Sequence, residues 1–172
     1  MAAGLTGERA RRDAPGSEHV MDSEQGAPTD AAGGAQRPFP GPVSPMFAAY
    51  LDGLERGVLV VRECTACAAR QWPPRTLCAR CRGREFRPAV IADHGLVHTF
   101  TVVHRGFDPW FADRVPYGIV VADLGDGIRM LGNYLGAELG TLVCGLPVRA
   151  RYERSGGHAF VGWAPADTGP EC

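Results

Sequence analysis

Six cysteines are spread over the chain, and four of them fall into two pairs, Cys64-x2-Cys67 and Cys78-x2-Cys81. Two thiolates spaced by two residues can face one ion, because a tight turn points both sulfurs the same way. Two such turns complete a tetrahedral sulfur shell. Ten residues separate the pairs, fewer than the roughly fifteen to twenty of the usual double knuckle, yet enough for a short hairpin. Zinc is the favoured ion, one per chain; iron in a rubredoxin-like site satisfies the same geometry. A redox pair and a disulfide clamp are the competing readings, and both weaken when two such pairs occur in tandem in a cytosolic chain. Four cysteine ligands fill the tetrahedron and leave no position for water or substrate, so the expected metal is structural. Cys144, in the apolar run Leu142-Val143-Cys144, reads as a buried small hydrophobe, and Cys172 as an inert tail residue.

The remaining chemistry-bearing residues are less organised. His98 and His104 fall on one face of an alternating segment, with His94 just before it. No Ser-His-Asp or Cys-His order with a nucleophile elbow accompanies them, and they read as ordinary strand histidines. Asp93, Asp123 and Asp126 adjoin turns, where aspartate bonds the local backbone. No catalytic residue is assigned. The segment Arg105–Pro116 differs in carrying Phe107, Trp110 and Phe111 together. Such aromatics can stack bases, line an acyl tunnel, pack on a partner, or simply close one end of a barrel.

The elements that must position these groups follow from periodicity. Ser44 can cap and Pro45 can open a helix whose Phe47, Tyr50, Leu51 and Leu54 recur at helical spacing, with Gly57 ending it. Residues 58 to 63 predict a strand that runs into the first cysteine pair. Beyond the cysteines, residues 95–104, 117–124, 128–135, 147–153 and 158–163 predict five strands. Gly125-Asp126-Gly127 and Ser155-Gly156-Gly157 supply hairpin turns. Five strands with a longer insert at about 136 to 146 fit a small Greek-key barrel of the OB type.

Residues 1–42, rich in small residues, Gly and Pro and poor in large hydrophobes, read as a disordered leader. Residues 43–88 then form the helix and ribbon, 89–166 the barrel, and 167–172 a flexible tail.

Composition narrows the function. The chain has 172 residues, 45% of them hydrophobic, and a formal net charge of -1. All 18 basic residues are arginine. Without lysine the chain alone cannot build a Schiff-base aldolase, a pyridoxal-phosphate enzyme or a P-loop nucleotidase. Nowhere do eighteen apolar residues run together, and no signal-peptide order opens the chain, so the expectation is a cytoplasmic protein. Charge is uneven: residues 56–87 carry eight arginines against two glutamates, whereas residues 88–172 carry six against nine acids. A basic ribbon can grip phosphates or acidic protein, and nucleic acid is therefore the rival partner. The acidic barrel argues against it.

Taken together, these residues resemble the thiolase-associated proteins that join a rubredoxin-like zinc ribbon to a C-terminal OB-fold. The likeness spans about 46 to 165 and rests on the helix with Leu54-x-x-Gly57, both cysteine pairs, and Trp72-Pro73-Pro74-Arg75. It extends through Gly95-x-Val97-x-x-Phe100-Thr101-Val102-Val103-His104, Pro116-Tyr117, Leu124-x-x-Gly127, Gly145-x-Pro147-Val148 and Trp163-x-Pro165. Ala68 stands where the family usually has glycine, and Ala92-Asp93 where Ser-Gly is common. The resemblance implies a mainly β fold and a non-catalytic accessory subunit. Its expected partner is a thiolase-fold or lipid-transfer-type enzyme acting on acyl-CoA in acyl transfer, condensation or retro-aldol cleavage, or in some members an acyl-CoA hydratase. It also implies that Arg75, with Phe107, Trp110 and Phe111, contacts acyl-CoA or the partner.

Overall fold

A short helix near the start of the described residues packs on both the ribbon and the barrel. The structure, a computed structural model, describes residues 35–166; the expectations for residues 1–34, for the tail and for Cys172 lie outside them. The Ser44 hydroxyl accepts the Met46 N–H at 3.4 Å, and a 3-10 turn, Pro45–Phe47, leads into α1, Ala48–Glu55. One face of this helix carries Phe47 and Tyr50 against Trp72, with Tyr50 and Trp72 ring centroids 4.4 Å apart. Leu54, on the helix's buried side, joins the core.

The ribbon is a three-stranded antiparallel sheet of β1 (Val60–Cys64), β2 (Arg70–Gln71) and β3 (Phe86–Val90), with β1 in the middle. The barrel comprises β4 (His94–Val103), β5 (Tyr117–Asp123), β6 (Arg129–Tyr134), β7 (Pro147–Ser155) and β8 (His158–Pro165), closed in the order β4-β5-β6-β8-β7. A four-residue helix, α2 (Pro109–Ala112), sits between β4 and β5. The closed five-stranded barrel is an OB-type architecture, and all five expected strands are present.

Two sequence expectations are modified. The strict alternation read across 95–104 breaks at a bulge between Val97 and Thr99. Val97 points inward, His98 and Thr99 are both exposed, and Phe100 packs against the core; the extra residue shifts the inward phase and lets β4 bend to pair with β7 as well as β5. Cys144 is exposed rather than buried. Leu142 alone turns inward from that run, at 3% exposure, while Val143 is 54% exposed.

The core is continuous across ribbon and barrel. Leu54, Leu59 and Val61 pack in one cluster with Val97, Val120, Met130, Val148 and Trp163. Among the described residues no helix is long and apolar enough to cross a membrane.

Candidate functional site

The four cysteines converge because each pair sits on a turn that reverses the chain within four residues. In the first, the Ala68 N–H donates to the Cys64 carbonyl at 2.9 Å; in the second, the Arg82 N–H donates to the Cys78 carbonyl, also at 2.9 Å. The residue after each pair must then take a left-handed conformation: Ala68 has φ +56 and Arg82 φ +65. That requirement explains why glycine suits the first position. Gly83 meets a different demand, since a Cβ there would stand 3.2 Å from the Cys64 sulfur and 3.3 Å from that of Cys81.

All four Sγ atoms lie within 4.8 Å of one another, with Cys64 and Cys81 3.6 Å apart and Cys67 and Cys78 3.7 Å apart. A tetrahedron with metal–sulfur bonds of about 2.3 Å has edges of about 3.8 Å, so the donor set matches the ion it would hold. The thiols' acidity agrees. The Cys81 N–H foremost, with the Arg80 N–H and neighbouring thiols, holds Cys78 down at about 6. Cys81 is favoured by the Gly83 N–H, yet crowding by the Cys67 and Cys64 sulfurs pushes it up to about 12. One thiolate forms readily and the last is resisted by its neighbours, and a central cation would relieve that repulsion. The four cysteines form a structural metal site.

Beside the sulfurs, Glu63 is 8% exposed and receives Arg70 Nε at 3.1 Å and Arg87 Nε at 2.9 Å. These bonds hold its carboxyl below the ordinary range, Arg87 contributing most. Arg70 also reaches Asp126 in the β5–β6 turn at 3.4 Å, linking ribbon to barrel. Arg62 lies 4.1 Å over the Phe86 ring. Several of the ribbon's arginines are thus engaged internally, whereas Arg75, Arg80, Arg82 and Arg84 remain exposed.

The other candidates do not form one site. Arg75 lines a hollow on the ribbon with Cys78 and Arg82, whereas Trp110 lines a separate groove at the mouth of the barrel. Phe111 stacks on Tyr117 of that groove at 4.9 Å. Phe107 stands apart, 87% exposed. The groove, about 830 Å³, runs between the β4–β5 connection carrying Trp110 and Arg114 and the β7–β8 hairpin carrying Glu153 and Arg154, the two loops with which OB-folds take ligands. His98 and His104 are exposed.

Sequence reasoning missed one residue here. Arg37, assigned to the leader, lines the groove: its guanidinium sits 4.1 Å over Phe160 and 5.4 Å from the Trp110 ring, and its backbone N–H donates to Ser155 Oγ at 2.9 Å. The signal available was the arginine and aromatic set among prolines in Arg37-Pro38-Phe39-Pro40.

Comparison with known proteins accords with this geometry. Residues 51–87 match the rubredoxin-like zinc ribbon domain of ChsH2, and residues 89–153 match the ChsH2 C-terminal OB-fold domain. A DUF35 domain-containing scaffold protein of Methanocaldococcus jannaschii is 30% identical over 101 residues, covering 58% of this chain and 71% of that protein. A protein of Thermomonospora curvata named "Probable enoyl-CoA hydratase alpha subunit" is 27% identical over 99 residues, covering 58% of this chain and 30% of the relative's length. Among solved structures, a chain of the "Ltp2-ChsH2(DUF35) aldolase" superposes with a TM-score of 0.66 at 22% identity, covering 72% of this chain and 96% of that one. The order of ribbon and barrel, the four-sulfur centre and the scaffold relative agree, and the chain belongs to the ChsH2-type DUF35 family of zinc-ribbon and OB-fold proteins.

Proposed function

We propose that this chain is a non-catalytic accessory subunit that docks on an enzyme of acyl-CoA metabolism, a thiolase-fold or lipid-transfer-type enzyme in the first instance and an acyl-CoA hydratase in the second. The observation that carries this reading is the fold shared with the ChsH2 chain of an aldolase named as a pair of proteins, across 96% of that chain. The hydratase subunit and the scaffold protein among the relatives support the same class of role. A four-sulfur shell offers no open position for a reacting group, so chemistry at the metal is not part of the proposal.

The metal of this reading is zinc. It takes tetrahedral sulfur without redox change, and residues Cys64, Cys67, Cys78 and Cys81 would hold it while it stabilises the ribbon. Phe107, at 87% exposure, is the aromatic best placed to enter a partner's surface. Trp110 and Phe111 would shape the adjoining groove, and Arg75 would meet phosphate or a partner carboxylate from the ribbon.

The test is co-purification of the tagged chain from its host at moderate salt. Recovery of a thiolase-fold, lipid-transfer-type or hydratase subunit in stoichiometric amount is expected. Recovery of RNA or DNA alone, released steeply as salt rises, would replace the proposal with a nucleic-acid-binding role. Elemental analysis of the same sample distinguishes zinc from iron, and a tetrathiolate iron centre would also be coloured.

A further inference from the structure

The barrel is closed, so its mouth offers no free strand edge onto which a peptide could add. Whatever binds there must be held by side chains. One wall of the groove is supplied by Arg37 itself, and that side chain is already seated among others. Arg37 has a side chain only 12% exposed, with Phe160 under its guanidinium and Trp110 beside it. Its Nη2 donates to Asn133 Oδ1 at 3.4 Å and its Nη1 faces Glu153 Oε2 at 3.7 Å. Two residues on, the Phe39 ring stacks on His158 at 3.8 Å, nearly parallel, and meets Phe160 edge-on at 5.9 Å. Aromatic faces, a carboxylate and an amide oxygen around one guanidinium constitute a pocket for arginine.

The hold is incomplete in a way that matters. Arg37 Nη1 is buried without a hydrogen bond, and Arg114 lies nearer the same indole, its guanidinium 3.9 Å from the Trp110 centroid. Pro38 and Pro40 donate no backbone hydrogen bonds and keep the segment extended. Gly41 beyond them has nothing within 4 Å of where its Cβ would be. A strap outside the core, held through the Arg37 and Phe39 side chains and the Arg37 backbone N–H on Ser155 Oγ, has the features of an exchangeable ligand rather than of a core element.

We propose that two adjacent side-chain pockets, one of Phe160, Trp110, Asn133 and Glu153 at the edge of the groove and one against His158 beside it, are a binding site for an extended peptide bearing an arginine two residues before an aromatic ring, and that the chain's own Arg37-Pro38-Phe39 occupies them in cis. A second peptide that uses these two pockets must first displace that segment. The inference does not depend on the accessory role, since it concerns only which residues fill these two pockets in the free chain.

The test uses the full chain. In the wild type the Phe39 ring shifts the His158 ring protons upfield in NMR spectra, and Phe39→Ala should return them towards the position of an exposed histidine. Unchanged His158 signals would overturn the cis contact. A synthetic peptide spanning residues 35 to 41 is then titrated against the wild type and against R37A/F39A. The double variant, whose two pockets are vacated, is expected to bind the peptide at least tenfold more tightly, and adding Trp110→Ala should abolish the gain. Equal binding to both proteins, or binding to neither, would overturn the proposal, as would a wild-type dimer that R37A/F39A converts to monomer, because the segment would then dock between copies. Retained metal content and circular dichroism identify folded variants; Arg37 and Phe39 lie outside the buried core, so both variants should fold.

Discussion

The ribbon and the barrel are stabilised by different physics. The barrel buries Val97, Val120, Ala122, Met130, Val148, Ala150, Val161 and Trp163 behind strands that alternate inward and outward, as in β5 and β6. The ribbon's own strands bury only Val60, Val61 and Cys64 among apolar residues, with the polar Glu63 and Gln71 beside them, and β3 buries no residue fully. Its order comes from four sulfurs around a point and from a glutamate clasped by two arginines. The contrast follows from size: a segment this short cannot bury enough apolar surface to offset its own ordering, so a metal supplies what packing lacks. One half therefore responds to chelators and the other to cavities.

The largest effect should come from the sulfurs. Cys64→Ala or Cys81→Ala is expected to expel the metal and unfold the ribbon, removing a binding free energy of about 10 kcal/mol or more. Hydrogen exchange should then rise across β1 to β3 while β5 to β8 stay protected. A tightly bound zinc retained at one per chain in both variants would refute the site. Next comes Met130→Ala, at a residue 1% exposed in the barrel. It should cost about 2–5 kcal/mol in denaturant unfolding and leave metal stoichiometry untouched. If metal is lost as well, the shared core through Leu54, Leu59 and Val61 couples the halves more tightly than their separate physics suggests.

A smaller change in the opposite direction is expected at Ala68, whose φ of +56 strains an L-residue. Ala68→Gly should stabilise the ribbon by about 1 kcal/mol, read as slower metal release to a chelator. The smallest effect concerns Asp123, whose carboxylate accepts the Gly125 N–H at 3.0 Å and Arg129 Nε at 3.2 Å. Those bonds, the Gly125 one foremost, hold its acidity below the usual carboxylate value. The stabilisation is therefore complete above the unfolded-state pKa of about 4 and is lost as pH falls through the lower folded value. Wild type and Asp123→Asn should differ at pH 7, and the difference should close in strongly acidic solution. A gap that widens on acidification would contradict the assignment.

The same division governs what could be read from the sequence. Cysteine spacing announced the metal centre because ligand chemistry depends on residue type and separation alone. The barrel strands were legible because alternation records which face is buried. β2 was not, since two residues carry no period, and its pairing of Arg62 with Gln71 arises only once the sulfurs draw the chain together. The four-residue α2 escaped for the same reason. Cys144 was misread because three adjacent apolar residues leave open which one points inward. Arg37 was missed through averaging: its neighbours upstream have the composition of a leader, and one arginine with one phenylalanine hardly alters the mean. Contacts between residues more than a hundred positions apart, such as Arg37 with Ser155, leave no periodic trace.

The wall of the barrel is completed by a narrow seam. β6 and β8 run parallel and register only at Asn133 with Gly162 and at Tyr134 with Trp163, followed by the Leu135 N–H on the Trp163 carbonyl at 2.9 Å. The β7–β8 pair, by contrast, registers along eight positions from Val148 to Ser155. Such a fastening is the place for the wall to part first, and parting would convert a continuous cylinder into an open sheet with two bare borders that invite neighbouring copies to join. The guanidinium on Asn133 rests directly on that fastening, at its first registered position.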